Sequence, residues 1–138
     1  SIVVDFGTAT NIDVVDSDGY YIGGAIAPGL RISMDALVAR AARIASIPLE
    51  TPPHAIGRTT EEAVQSGAVL GTAAMVEGLV SRIRAELGAP EARVIATGGL
   101  ANIVADSTNV FDVVDGQLTL KGICEIARRM RDRVPRTA

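Results

Sequence analysis

An α/β fold built on a mixed sheet is what this sequence predicts, and three observations predict it. Short β-forming runs crowd the first 26 residues, with turn residues between them. Helix-like and strand-like segments then alternate through the rest of the chain. The 138 residues are 48% hydrophobic with a net charge of only -3, which suits one packed core and argues against disorder. Strands in a meander followed by βα units make a sheet with both antiparallel and parallel pairs.

The elements follow in order. Ile2-Val3-Val4 is an apolar run of strand formers, and Asp5-Phe6-Gly7-Thr8 turns the chain. Asn11 to Asp16 resumes a strand, Ser17-Asp18-Gly19 makes a hairpin turn, and Tyr20-Tyr21-Ile22 pairs back. Gly23-Gly24 is expected to bend the chain, and Pro28-Gly29 to punctuate it. Leu30 to Ile44 reads as a helix with Ile32, Leu37 and Ile44 as apolar members. Pro48, Pro52 and Pro53 mark a loop. Thr59-Thr60-Glu61-Glu62 is a capping box: Thr59 caps the amide of Glu62 while Glu62 reaches back. A long helix is expected from there to about Leu87, stopped by Gly88 and Pro90. Arg93 to Thr97 is a buried strand closed by Gly98-Gly99, and a short helix starts at Leu100. Val110 to Val114 is a further strand and Leu118 to Arg131 the last helix.

Composition excludes several classes of function. One cysteine, Cys124, excludes a disulfide scaffold and fits a reducing, cytoplasmic setting; its place between Ile123 and Ile126 predicts a core position. The start lacks a basic segment and meets Asp5 early, unlike a signal peptide. The longest uncharged helical stretch, Ala63 to Val76, falls short of a membrane span. Thirteen basic against sixteen acidic residues argue against bulk nucleic-acid binding, and Arg128, Arg129, Arg131 and Arg133 read as solvated residues favouring a helix C-terminus. The strand-like opening without a Met, and the apolar composition, are expected of a lobe taken from a longer chain with one face covered.

Several constellations are able to carry chemistry. In Asp5-Phe6-Gly7-Thr8-Ala9-Thr10 a strand delivers Asp5 to its carboxyl end. Gly7 has no side chain to keep a phosphate from the backbone, Thr8 and Thr10 add hydroxyls, and Asp5 offers a place for a cation or water. On spacing alone a plain hairpin turn with a capping Asp fits as well. Thr97-Gly98-Gly99-Leu100-Ala101 makes a tight strand-to-helix turn suited to a nucleotide, or equally an ordinary βα turn; it is not the G-x-G-x-x-G of a dinucleotide fold. Gly23-Gly24-Ala25-Ile26-Ala27-Pro28-Gly29-Leu30 implies a close backbone approach, to a ligand or to a packing corner. Ala63, Gly67, Gly71, Ala74 and Gly78 form a small-residue stripe, for close internal packing or for a subunit interface. Thr60, in the first turn of the long helix, is placed either to meet a polar ligand or to face solvent. His54 lacks a Cys or His partner, so it reads as a solvated loop residue rather than a metal ligand.

Six motifs occur in one order: Asp5-Phe6-Gly7-Thr8-Ala9-Thr10, Asp13-Val14-Val15-Asp16, Gly23-Gly24-Ala25-Ile26-Ala27-Pro28-Gly29-Leu30, Ile56-Gly57-Arg58-Thr59-Thr60, Gln65-Ser66-Gly67 and Ala96-Thr97-Gly98-Gly99-Leu100-Ala101. Together they resemble the C-terminal half of the type III pantothenate kinases, from Val3 to the stretch Leu118-Thr119-Leu120-Lys121-Gly122. The resemblance implies an actin/ribonuclease H-like lobe and ATP-dependent phosphorylation of pantothenate, the first step of coenzyme A synthesis. It implies that Asp5 binds a monovalent cation (K⁺ or NH4⁺), that Thr8 contacts ATP and that Thr60 contacts pantothenate. Gly7, Thr10, Gly98 and Gly99 join the ATP site, with Mg²⁺ on the phosphates. It implies a homodimer with the substrate site near the subunit interface. Asn11 departs from the threonine usual in the family. The family's first phosphate loop and catalytic aspartate lie upstream of the position matching Ser1. Residues 1–138 are therefore expected to be a single domain, the C-terminal lobe of a two-lobe kinase. That lobe has no catalytic base of its own and is inactive without its N-terminal lobe. The alternatives are a non-catalytic regulatory or accessory relative and, more remotely, another sugar or acid kinase of the same superfold.

Overall fold

A computed structural model describes residues 1–40 and 47–133. Strands β1 (Ile2–Phe6), β2 (Ala9–Val15) and β3 (Tyr21–Pro28) form the expected antiparallel meander. Helix α1 (Leu30–Arg40) follows. The long helix begins as α2 (Thr60–Gln65), passes through one wider π turn (Ser66–Leu70) and continues as α3 (Gly71–Leu87). Strand β4 (Val94–Thr97), helix α4 (Ala101–Ala105), strand β5 (Val113–Val114) and helix α5 (Leu118–Arg133) complete the order. The five strands make one sheet in the order β3-β2-β1-β4-β5. β1 pairs antiparallel with β2 and parallel with β4, and β4 pairs parallel with β5. The sheet is mixed, as expected.

Alternation along the strands sets the core. Ile2, Val4 and Phe6 of β1 and Ile12 and Val14 of β2 are buried on one face. Val69, Ala73, Val76 and Val80 of the long helix pack on that face, with Val94, Ala96 and Val104 beside them. Burying each such Val or Ile is worth roughly 1.5–3 kcal/mol, so this helix-on-sheet layer dominates stability. By length and composition alone the 28-residue helix Thr60–Leu87 is able to cross a membrane. Its buried valines instead make it the core helix of the fold. Phe6 and Phe111 meet edge to face at 5.9 Å, tying the end of β1 to the loop before β5.

The structure corrects several sequence expectations. β3 runs straight through Gly23-Gly24 rather than bending there, with an irregularity in register at Val14/Val15. Gly24 has no room for a side chain, because a Cβ there would meet the Ile12 carbonyl. On α1 the buried residues are Leu30 and Met34, while Ile32 and Leu37 are half-exposed; Ile44 lies outside the described residues. The Val110–Val114 strand shrinks to two residues. Thr59 caps the Glu62 amide at 3.1 Å, but Glu62 reaches back to the Arg58 amide, at 2.6 Å, one residue beyond the cap. Along the small-residue stripe a Cβ on Gly67, Gly71 or Gly78 would meet nothing within 4 Å among the described residues, whereas Gly57 is packed directly on the backbone of Ala63.

The largest departure is α5. Cys124 is exposed rather than in the core. Leu120, Ile123, Ile126 and Met130 are all more than half exposed. The helix is amphipathic but lays no apolar face on the body, so the apolar signal around Cys124 was real and its burial was not. Asp115 starts the helix, accepting from the Gln117 amide at 3.0 Å and from Lys121 Nζ at 2.7 Å. Glu125 gathers Arg128 at 2.9 Å and Arg129 at 2.7 Å, so half of the arginine cluster is paired along the helix rather than serving its C-terminus.

Candidate functional site

The parallel pairing of β1 and β4 brings two distant loops to one edge of the sheet. Asp5 stands opposite Thr97 on one side and Asn11 on the other. Both strands end there, so Gly7-Thr8 and Gly98-Gly99 emerge side by side at their carboxyl ends. That is where open α/β sheets hold ligands.

Gly98 fits closely at this junction. Its φ of +95° favours glycine, and a Cβ would run into the Asp5 carboxylate and stand 2.6 Å from the Phe6 carbonyl. The Leu100 amide donates to that same Phe6 carbonyl at 3.4 Å, and the Ala101 amide to Gly98 at 3.3 Å. The loop on the β1 side is closed by the Gly7 amide donating to Ala9 at 3.0 Å. Gly7 and Thr8 are exposed, and Asp5 is half-buried beneath the glycine turn.

The Gly23 to Leu30 segment proves to be a packing corner that serves the loop. A Cβ on Gly29 would collide with the Thr8 carbonyl, so the start of α1 is seated on the β1–β2 loop. The result is a cleft of about 400 Å³ lined by Gly7, Thr8, Arg31, Asp35 and Gly99, with Phe6 and Leu100 at its apolar base. The expected residues Asp5, Gly7, Thr8, Gly98 and Gly99 therefore come together. Arg31 and Asp35 were missed by sequence reasoning, although their four-residue spacing after Pro28-Gly29 was a usable signal.

Two expected residues are placed elsewhere. Thr10 lies on the buried face of β2 with Ile12 and Val14, is 1% exposed, and its Oγ1 has no hydrogen-bond partner. Thr10 therefore offers no hydroxyl to the cleft, because strand alternation turns it into the core while Thr8 stays in the loop. Thr60 lines a second cleft of about 360 Å³ with Ser33, Met34, Leu37, Ala63 and Gly67. Residues 31, 32 and 35 of α1 face the first cleft and residues 33, 34 and 37 the second. Helix α1 is thus a wall between them.

The rim of the second cleft is held firmly. Ser66 donates to the Ala55 carbonyl at 2.6 Å and Gln65 to the Pro48 carbonyl at 2.9 Å, so the Gln65-Ser66-Gly67 motif tethers the proline-rich loop. His54 is exposed in that loop. Among the described residues no group of three His, Cys, Asp or Glu is placed to hold a metal ion.

Two loops and a helix start converge at the ends of parallel strands of this α/β fold and form an open, glycine-lined cleft. The family model for type III pantothenate kinase matches residues 1–82, and this chain belongs to that family. It is 56% identical over 129 residues to a type III pantothenate kinase of Thermomicrobium roseum, covering 94% of this chain and 49% of that protein. It is 49% identical over 128 residues to that of Paramagnetospirillum magneticum, covering 93% and 49%. The chain thus spans about half the length of these curated relatives. A solved structure, described as a conserved putative Baf family transcriptional activator from Campylobacter jejuni, matches with a TM-score of 0.68 at 20% identity, covering 96% of this chain and 59% of that one. That likeness shows the fold alone.

Proposed function

We propose that this chain is the C-terminal, actin/ribonuclease H-like lobe of a kinase that transfers the γ-phosphoryl group of ATP to the hydroxyl of pantothenate. The convergence of Asp5-Phe6-Gly7-Thr8 with Thr97-Gly98-Gly99 carries this reading, because it makes a glycine-lined cleft within a chain of the pantothenate kinase family. Gly7 and Thr8 cradle phosphates, and Gly98 and Gly99 let the nucleotide approach the backbone. Asp5 gives the anionic oxygen that a hard monovalent cation needs, with the Phe6 carbonyl beside it. Mg²⁺ bound to the phosphates would neutralise charge as it develops. The base that takes the pantothenate proton belongs to the upstream lobe in this proposal, since no carboxylate of this chain matches it.

The proposal gives the remaining surfaces a use. The N-terminal lobe covers the exposed apolar stripe of α5, and a second copy covers the small-residue face of α2 and α3 in a homodimer. The second cleft takes pantothenate beside Thr60. Because α1 separates that cleft from the phosphate loop, the reacting groups meet only in the assembled enzyme. An exposed Cys124 without a disulfide partner fits a cytoplasmic protein.

The test is pantothenate-dependent ADP formation by the protein of the complete reading frame, in potassium and then in sodium. Potassium-dependent turnover is expected. Asp5→Asn should reduce turnover and flatten the cation dependence; an unchanged potassium response in that variant removes Asp5 from the cation site. A folded protein with an intact upstream catalytic aspartate and no turnover would overturn the kinase reading in favour of a regulatory relative.

A further inference from the structure

The glycine-lined cleft contains a positive charge that none of the six motif roles uses. We infer that Arg31 binds the phosphates of the nucleotide directly, as the cation that this lobe contributes to the polyphosphate. This inference rests on the kinase reading.

Three observations carry it. Arg31 lies in the first turn of α1, two residues after Gly29, and Gly29 is packed so tightly on the Thr8 carbonyl that the helix start cannot drift from the loop. Arg31 lines the same cleft as Gly7, Thr8 and Gly99 and, among the described residues, is the only basic one that does so. Among the described residues it forms no ion pair: Asp35, one turn along the same face, is not within salt-bridge distance.

The charge of the cleft gives this cation a use. Asp5 lies beneath the glycine turn, where the kinase reading gives it a monovalent cation, and Asp35 stands on the cleft wall; without Arg31 the only charged side chain lining the cleft, among the described residues, would be the Asp35 carboxylate. A guanidinium suits the position because its fork donates two parallel hydrogen bonds to phosphate oxygens. Arg31 is exposed and, among the described residues, is in no ion pair, so it closes on the phosphates without first breaking one. Asp35 then acts against nucleotide binding when Arg31 is removed, rather than as its partner.

Steady-state kinetics on the full-length protein test this, with ATP and pantothenate varied separately. Arg31→Ala and Arg31→Gln should each raise KM for ATP about tenfold, the value of a charge-assisted hydrogen bond. KM for pantothenate should stay within about twofold, the change expected where no contact is lost. Arg31→Lys should recover part of the loss, because the charge is kept and the bidentate fork is not. Asp35→Asn should lower KM for ATP, because it removes a carboxylate from the cleft wall. An ATP KM near wild type in both neutral variants overturns the inference. So does an Arg31→Lys variant as impaired as Arg31→Ala, or an Asp35→Asn variant as impaired as Arg31→Ala, which would make Arg31 and Asp35 a structural pair. Thermal melts distinguish a folded variant from an unfolded one. If the wild-type protein does not phosphorylate pantothenate, the kinase reading fails; if it does and only the Arg31 results fail, the inference alone falls.

Discussion

At Gly98 a single missing methyl group decides whether two loops can meet. Holding a left-handed φ costs a non-glycine residue about 1–3 kcal/mol. A Cβ would add a collision with the Phe6 carbonyl, a backbone atom that cannot rotate away as the Asp5 carboxylate can. Gly98→Ala is therefore expected to lower the urea midpoint clearly and to weaken nucleotide binding more than its stability loss explains; equal effects on both would reduce Gly98 to a structural role. The sequence made Gly98 legible as a turn residue. It did not make Asp5 legible as its neighbour, because only β1–β4 pairing joins them. The burial of Thr10 was legible. Thr10 shares period-two spacing with Ile12 and Val14, and that pattern already pointed its hydroxyl into the core.

Among the elements, the ends of helices were easier to read than their interiors. The Thr59 cap and the Gly88 stop both follow from local hydrogen-bond needs, which short sequence patterns express. Thr59→Ala should cost about 1 kcal/mol in chemical denaturation, the usual worth of such a cap. The π turn at Ser66–Leu70 had no local signal; it coincides with the tethering of Gln65 and Ser66 to the proline-rich loop. Helix α5 adds a pH effect. The Arg128 hydrogen bond, and then that of Arg129, push the Glu125 carboxyl down from its ordinary 4.5 to about 2. A lowered folded-state pKa means that the stabilisation is present above the ordinary value and is lost as pH falls toward about 2. Circular dichroism should accordingly show less helix in Glu125→Gln than in wild type at pH 6 and no difference at pH 2. A difference that persists at pH 2 would point to packing rather than charge.

Over the whole molecule, the architecture was legible because element order and hydrophobic period constrain how strands and helices stack. What covers the outer surfaces was not, since an apolar helix face looks the same in sequence whether it meets its own core or another body. Ile123 and Ile126 show this: their pattern is that of a core helix and their position is in solvent. If the upstream lobe covers α5, amides of residues 118–133 should exchange with deuterium far more slowly in the full-length protein than in this chain alone; equal rates would leave α5 free in both. The central strand also fixes an order of synthesis. During translation β1 gains β2 almost at once, but its opposite edge must wait until Val94 has been made. Through that interval the nascent chain shows an unpaired strand edge and a bare apolar surface, the conditions under which chains mispair. The arrival of β4 then ends the hazard and places Gly98 over Asp5 in one event, so a chain that has finished folding has finished building its glycine-lined cleft.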